Sequence, residues 1–179
     1  TGILRLDAGQ RHPLNDPRVQ AEIQAALEDP LPEVRAVAAE CASPLGRSVV
    51  PLLEGRLEDP VAEVRLAASR AYARAAGKEA IGRLKPLLTD PSPEVRVAAA
   101  HELGKLGDAS GFDGAMAVLA DTSGSNEVRS AAARALDEIR DPRAIPLLRK
   151  VTSEKPGDVQ YAANNAWVSL RRRFPKYAE

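Results

Sequence analysis

Residues Asp90 to Gly107 read DPSPEVRVAAAHELGKLG, and the reading of this stretch decides the fold. Ser92 carries the side chain of a helix N-cap, and Pro93 suits a first helical turn, where its missing amide would have no partner anyway. Val95, Ala98, Ala99, Leu103 and Leu106 then fall on one face of a helix with a 3.6-residue period. The stretch predicts a helix that starts sharply, buries one side, and thins and stops at Gly104 and Gly107 before a turn at Asp108.

Working outward, the pattern recurs. Asp29 to Arg35 reads DPLPEVR, Asp59 to Arg65 reads DPVAEVR, and Asp121 leads to Glu127-Val128-Arg129. A weaker copy is Asp158-Val159-Gln160, with Gln in place of Arg. The acids before each valine, Glu33, Glu63, Glu94, Glu127 and Asp158, are spaced by 30, 31, 33 and 31 residues. A period near 31 means a quasi-linear stack in which each unit touches only its neighbours. A single unit cannot bury its apolar face alone, so the array folds as a whole.

Composition agrees. Aromatic residues make up 3% of the chain and alanine carries much of its apolar content, which predicts helices that approach closely with few bulky side chains between them. Twenty-five basic residues balance 25 acidic ones, so the overall field attracts neither nucleic acid nor an anionic membrane. No run approaches the roughly 20 apolar residues of a membrane helix. The one cysteine, Cys41, falls on the apolar face of its helix and is expected to be a buried, inert thiol. A cytoplasmic location is expected. A start at Thr1 rather than Met leaves open a removed leader or an excised fragment.

In chain order, residues 1–15 do not fit the repeat. Ile3, Leu4 and Leu6 suit either an arm laid over the first unit or the remnant of a missing element. Residues 16–172 form the array, and 173–179 a tail. Each unit is a hairpin of a helix A and a helix B: one that begins at Asp16-Pro17 and carries Val19, Ile23, Ala26 and Leu27, with 32–42, then 45–57 and 62–76, 78–88 and 93–106, 110–119 and 126–139, 142–152 and 157–172. Pro44 ends the first helix B early, because proline lacks the amide donor and clashes with the preceding turn. The longer step of 33 is absorbed by Thr122-Ser-Gly-Ser-Asn126.

Val50-Pro51-Leu52-Leu53 aligns with Ile145-Pro146-Leu147-Leu148, which places a proline inside helix A of two units. Such a proline kinks its helix, and an outer layer tolerates the kink better than an inner one. Helix A is therefore expected on the convex side and helix B on the concave side, the usual binding surface of such stacks.

With Asp-Pro-x-Pro-Glu-Val-Arg and the alanines that follow it in Asp29 to Ala39 and Asp90 to Ala100, and with the Ile-Pro-Leu-Leu of Ile145 to Leu148, the chain resembles HEAT repeats, specifically the short bacterial phycobilisome-lyase-type HEAT-like repeats. The resemblance covers roughly residues 16–172. It implies an all-α superhelix, right-handed, of about five helical hairpins. It also implies a ladder between the turn acid and the Arg after Val, which pairs Asp29 with Arg35, Asp59 with Arg65, and Asp90 with Arg96. A planar guanidinium suits a carboxylate held at a helix start. Asp121 and Arg129 stand two residues further apart and Gln160 replaces the last Arg, so the ladder is expected to falter towards the C-terminus.

The family is mostly one of binding scaffolds, with a minority of chromophore lyases, alkyl-base DNA glycosylases and the di-iron hydroxylase of deoxyhypusine. The hydroxylase needs several facing His-Glu pairs, but this chain has only His12 and His101, and His101-Glu102 is its sole pair. No metal or other cofactor is indicated, and no nucleophile–base constellation or phosphate loop marks an enzyme. Glu102 aligns with Cys41, Ala71, Ala135 and Ala166, the one acid at a small apolar position. Trp167 aligns with Leu136, Leu103 and Tyr72 and is expected in the core, whereas Tyr161 is expected to be exposed.

One surface signal remains. Seven and eleven residues after the reference acid, helix B carries Arg70 and Arg74, His101 and Lys105, and Arg134, one turn apart on a single face. With Tyr161, Asn164 and Asn165 as a polar extension, these residues form a candidate partner-binding stripe. Cations near helix C-termini also complement the helix dipole without any partner. Arg171-Arg172-Arg173 fits that second use, and Phe174 and Tyr177 are expected to cover the last unit. The reading is a non-enzymatic scaffold that binds a protein partner, an acidic or polar segment, on its concave helix-B surface. Nucleic-acid binding, with or without glycosylase activity, is the first alternative, and help to a linear tetrapyrrole the second.

Overall fold

The computed structural model describes residues 17–177, and among them ten α-helices alternate as five hairpins with no strand. The first members of the pairs are α1 (Pro17–Leu27), α3 (Val50–Arg56), α5 (Ile81–Leu84), α7 (Phe112–Ala120) and α9 (Ile145–Val151). The second members are α2 (Pro32–Ala42), α4 (Ala62–Ala76), α6 (Pro93–Lys105), α8 (Asn126–Ile139) and α10 (Asp158–Arg173). The N-terminal arm or remnant, residues 1–15, lies outside the described residues.

The starts of the second helices follow from local chemistry. Ser92 Oγ accepts the Val95 amide at 3.4 Å and Ser125 Oγ accepts that of Val128 at 3.3 Å. Where Leu31 and Val61 occupy the cap position, the turn is held one step earlier. Asp29 Oδ1 accepts from Leu31 N at 2.8 Å and Asp59 Oδ1 from Val61 N at 3.0 Å. Asp90 does the same for Ser92 N at 2.9 Å. Each Asp-Pro turn therefore ties its own backbone before any contact between units is made.

The first helices depart from expectation. Three are composite: 3-10 turns at Ser43–Val49, Gly77–Ala80 and Pro142–Ala144 precede α3, α5 and α9, and a further one at Lys85–Thr89 follows α5. Pro51 and Pro146 do not kink helix interiors but sit in the first turns of α3 and α9, where no amide donor is needed. Pro86 likewise opens the 3-10 segment after α5.

The second helices stack directly, α2 on α4, α4 on α6, α6 on α8 and α8 on α10, while the first helices touch one another much less along the array. A stack whose B helices touch while its A helices stand apart curves towards the B layer. Between the layers lies a Leu/Ala core. Leu27, Leu53, Leu84, Leu119 and Leu148 from the first helices are fully buried, as are Leu103, Leu136 and Leu170 from the second. Each such leucine contributes about 1.5–3 kcal/mol by burial. α6 belongs to both halves of this core, Val95 and Leu103 facing back and Val97 and Ala100 facing forward. At the C-terminus Phe174 packs against the core, but Tyr177 is exposed.

Cys41 is exposed, contrary to the buried thiol expected. Its counterparts Ala71, Glu102, Ala135 and Ala166 are all buried. Apolar periodicity placed Cys41 on the right stripe of the helix. That stripe is covered only where a preceding B helix lies against it, and α2 has none among the described residues.

Candidate functional site

Helices α4, α6 and α8 enclose an open cleft of about 430 Å³ on the B side of the stack. Arg70 and Arg74 enter from α4, His101 and Lys105 from α6, and Arg134 from α8. Five of the eight residues of the sequence-derived stripe thus share one site. Tyr161 and Asn165 of α10 line a smaller depression with Arg134 and Asp137, so Arg134 is common to both. Tyr161 is exposed, as anticipated, while Trp167 is half-buried against the core with Arg171 over its ring at 5.4 Å.

Sequence reasoning missed the floor of the cleft, formed by Leu66, Val97, Ala98, Val128 and Ala131. Leu66, Val97, Ala98 and Ala131 lie three or four places after the acid that precedes each valine, and Val128 directly after it, so a place on or beside the apolar stripe was their only signal. It also missed Glu94 and Glu127, which line the cleft at the helix N-termini. The site is therefore dipolar, with carboxylates at its N-terminal end and cations along the rest.

Not all of this charge is explained by the helix dipole. Lys105 closes α6 and Arg74 stands in the last turn of α4, where cations are favoured by about 0.3–1 kcal/mol. Arg70 and Arg134, however, lie in mid-helix. Arg70, Arg74 and Arg134 make no hydrogen bond or ion pair among the described residues. Lys105 Nζ does, donating to Glu102 Oε2 at 3.0 Å, which accounts for the one acid at a small apolar position. Glu102 is only 4% exposed. Burial lowers the pKa of His101, opposed by Glu102 and Glu138 and assisted by Lys105 and Arg70, so the imidazole is neutral at pH 7.

Beside the cleft runs the ladder, with its pairing offset from expectation. Arg35 does not bind the Asp29 carboxylate. Its Nε and Nη2 donate to Asp59 Oδ2 and Oδ1 of the next unit at 2.8 and 2.9 Å, while Nη1 reaches the Asp29 carbonyl at 2.8 Å. Arg65 repeats this, with two 2.7 Å bonds to Asp90 and one of 2.8 Å to the Asp59 carbonyl. Arg96 donates to the Asp90 carbonyl at 2.7 Å and not to its carboxylate. The reason is reach. A guanidinium one turn into helix B extends across the loop of its own unit, taking the carbonyls there, and its fork arrives at the following Asp. Asp90 is held below the usual carboxylate range by its bonds from Arg65. Asp59 is also lowered, the Arg35 and Val61 hydrogen bonds outweighing the opposing effect of burial.

Towards the C-terminus the rungs change. Asp121 turns back on Ser123, accepting its amide at 2.9 Å and its hydroxyl at 2.6 Å. Arg129 donates to the Leu119 carbonyl at 3.2 Å and to Glu154 at 2.9 Å, and Gln160 reaches only the Thr152 carbonyl at 3.4 Å.

A sequence profile described as HEAT repeats matches residues 49–126 and again 81–166. A search of curated proteins found no match. Among solved structures, the complex of CpcE and CpcF of phycocyanin lyase from Nostoc sp. PCC7120 contains a similar chain, with a TM-score of 0.67 and 24% identity over 99% of this chain and 72% of that one. The crystal structure of an engineered protein is similar with a TM-score of 0.57 and 24% identity, over 86% of this chain and 81% of the other. At such identity these structures speak for the fold alone. No helix among the described residues is long and apolar enough to cross a membrane.

Proposed function

The chain belongs to the HEAT-repeat family, and from that premise we propose that it is a non-enzymatic interaction scaffold whose α4–α6–α8 cleft takes an acidic or polar segment of a protein partner. The observation that carries this reading is the convergence of Arg70, Arg74 and Arg134, none bonded to another side chain among the described residues, over an apolar floor. Guanidinium groups left without a carboxylate and set beside apolar surface offer both charge-assisted bonds and a burial term to an incoming acidic segment. The stack supplies rigidity, since Val97 and Val128 on the cleft floor also belong to the buried core that holds the helices together.

Two other ligands fit less well. A tetrapyrrole calls for a free carboxylate set inside an apolar cleft, whereas Glu102 is bound to Lys105, Glu94 accepts from Ser92, and Glu127 stands exposed at a rim that is otherwise basic. A nucleic acid calls for many phosphate contacts, and Arg171 to Arg173 do not line the cleft.

The test uses a fluorescent Glu/Asp-rich peptide and a labelled DNA duplex, each titrated at low and moderate salt. Peptide binding that is lost in the Arg70→Glu, Lys105→Glu, Arg134→Glu triple variant, with the melting temperature kept, supports the reading. Tighter duplex binding with a steep salt dependence assigns the cleft to nucleic acid instead. Peptide binding unchanged in the variant removes the cleft from consideration.

A further inference from the structure

The cleft over α4, α6 and α8 changes character along the helix axes. Its lining falls into rows, because equivalent positions of successive B helices meet it side by side. Glu94 and Glu127 stand in the first turns of α6 and α8. Leu66, Val97, Ala98 and Ala131 follow about one turn on as an apolar band. Arg70, His101 and Arg134 come a turn later, and Arg74 and Lys105 a turn beyond them. The eleven steps from Glu94 to Lys105 correspond to about 16 Å of helix.

Both charged ends are open to a ligand. Glu94 and Glu127 are exposed, and neither forms an ion pair among the described residues; Glu94 accepts from Ser92 Oγ at 2.6 Å. Arg70, Arg74 and Arg134 are exposed as well, whereas Lys105 is shared with Glu102. A uniformly acidic segment that spans the cleft would therefore set carboxylates against Glu94 and Glu127, and like charges face to face cost affinity.

The walls select the shape of the occupant. Every lining residue belongs to α4, α6 or α8, whose mid-helix amides and carbonyls are bonded within their own helices. An extended segment finds no backbone partners over the apolar band, whereas a helix satisfies its own backbone and can lay an apolar stripe there. Three turns of such a helix also span about 16 Å.

Resting on the cleft reading above, we propose that the partner segment is a dipolar amphipathic helix. Acidic residues at one end meet Arg70, Arg74 and Arg134, an apolar stripe covers Leu66, Val97 and Ala131, and Lys or Arg at the other end meets Glu94 and Glu127. These two glutamates set specificity, admitting a basic end and rejecting an acidic one. The arginines alone would accept any acidic segment.

The experiment titrates two labelled peptides into the full chain by fluorescence anisotropy. They share an acidic first turn and an apolar stripe, and one ends in lysines, the other in glutamates. The lysine-ended peptide is expected to bind about tenfold more tightly. Glu94→Gln with Glu127→Gln is expected to erase that preference, and Glu94→Lys with Glu127→Lys to invert it, with the melting temperature kept. A proline in the centre of the lysine-ended peptide is expected to abolish binding, and retained affinity overturns the helical occupant. Peptides that bind alike, with neither glutamate pair changing their order, overturn the dipolar segment; the cleft itself still stands if the Arg70→Glu, Lys105→Glu, Arg134→Glu variant releases both. If that variant leaves both peptides bound, the cleft reading is lost and this inference with it.

Discussion

The junctions between the first three units and the junction between the third and fourth hold the same kind of helices together by different means. From α2 to α6 each junction carries a forked Arg–Asp rung, Arg35 to Asp59 and Arg65 to Asp90, with both carboxylates nearly buried. Between α6 and α8 that rung is absent. The insertion after Asp121 sends its carboxylate back to Ser123, and Arg96 finds only carbonyls. In its place the helices come closer. A Cβ on Gly104 would stand 2.8 Å from the Ile139 nitrogen, and one on Gly111 would stand 2.5 Å from Ala100 Cβ. A directional charge pair and a close backbone approach are thus alternative ways to set the spacing of a repeat. The first tolerates bulk beside it, and the second tolerates none.

Substitutions can break this contrast. The largest effect is expected from Gly111→Ala, which must displace the α6 backbone at Ala100 and should cost about 2–3 kcal/mol by denaturant unfolding. Gly114→Ala, one turn on and with open space around it, should change stability little and serves as the control. Next comes Asp90→Ala, expected to cost about 2 kcal/mol because the Arg65 fork loses both charge-assisted acceptors. Asp121→Ala, in the junction without a rung, should have a much smaller effect. Equal losses from the two aspartates would refute the assignment of rungs.

A smaller effect, of opposite sign, is expected at the end of α8. Arg140 adopts a left-handed conformation, φ 61° and ψ 37°, as the C-cap, where glycine is preferred. Arg140→Gly should raise stability by about 0.5–1 kcal/mol, and a fall would show that the 4.0 Å contact with Glu138 matters more than the backbone.

The smallest effect is read from pH. Hydrogen bonds from Ser110 and then Lys85 hold Asp108 down to about 2, and Asp59 and Asp90 are also lowered. A carboxylate lowered on folding stabilises the native state fully above its unfolded pKa of about 3.9, and that contribution fades as pH falls through its folded value. Stability should therefore decline between about pH 4 and pH 2, and Asp108→Asn should flatten part of that slope. An unchanged slope in that variant would separate Asp108 from the acid response.

Much of this was legible beforehand. The DPxxEVR turn, its spacing and the apolar stripe after it are local properties, so the hairpins, the B-helix boundaries and the cations sharing a face could be read from residues alone. The breaks in the A helices were visible as prolines but misjudged, because Pro51 and Pro146 act as helix starts once 3-10 turns precede them. The cleft floor went unnoticed because Leu66, Val97 and Val128 look like any other apolar residue until two helices part above them.

The sequence by itself determined that the chain is an array, where each unit turns, and which side chains line each helix face, since these depend on contacts a few residues long. Only the tertiary structure decided which unit an Arg serves, that Asp90 answers to Arg65 and not Arg96, and that Cys41 stands exposed while Ala71 is buried. Periodicity specifies the direction in which a side chain leaves its helix. What it meets there is set by the stacking of the neighbouring unit, some thirty residues away.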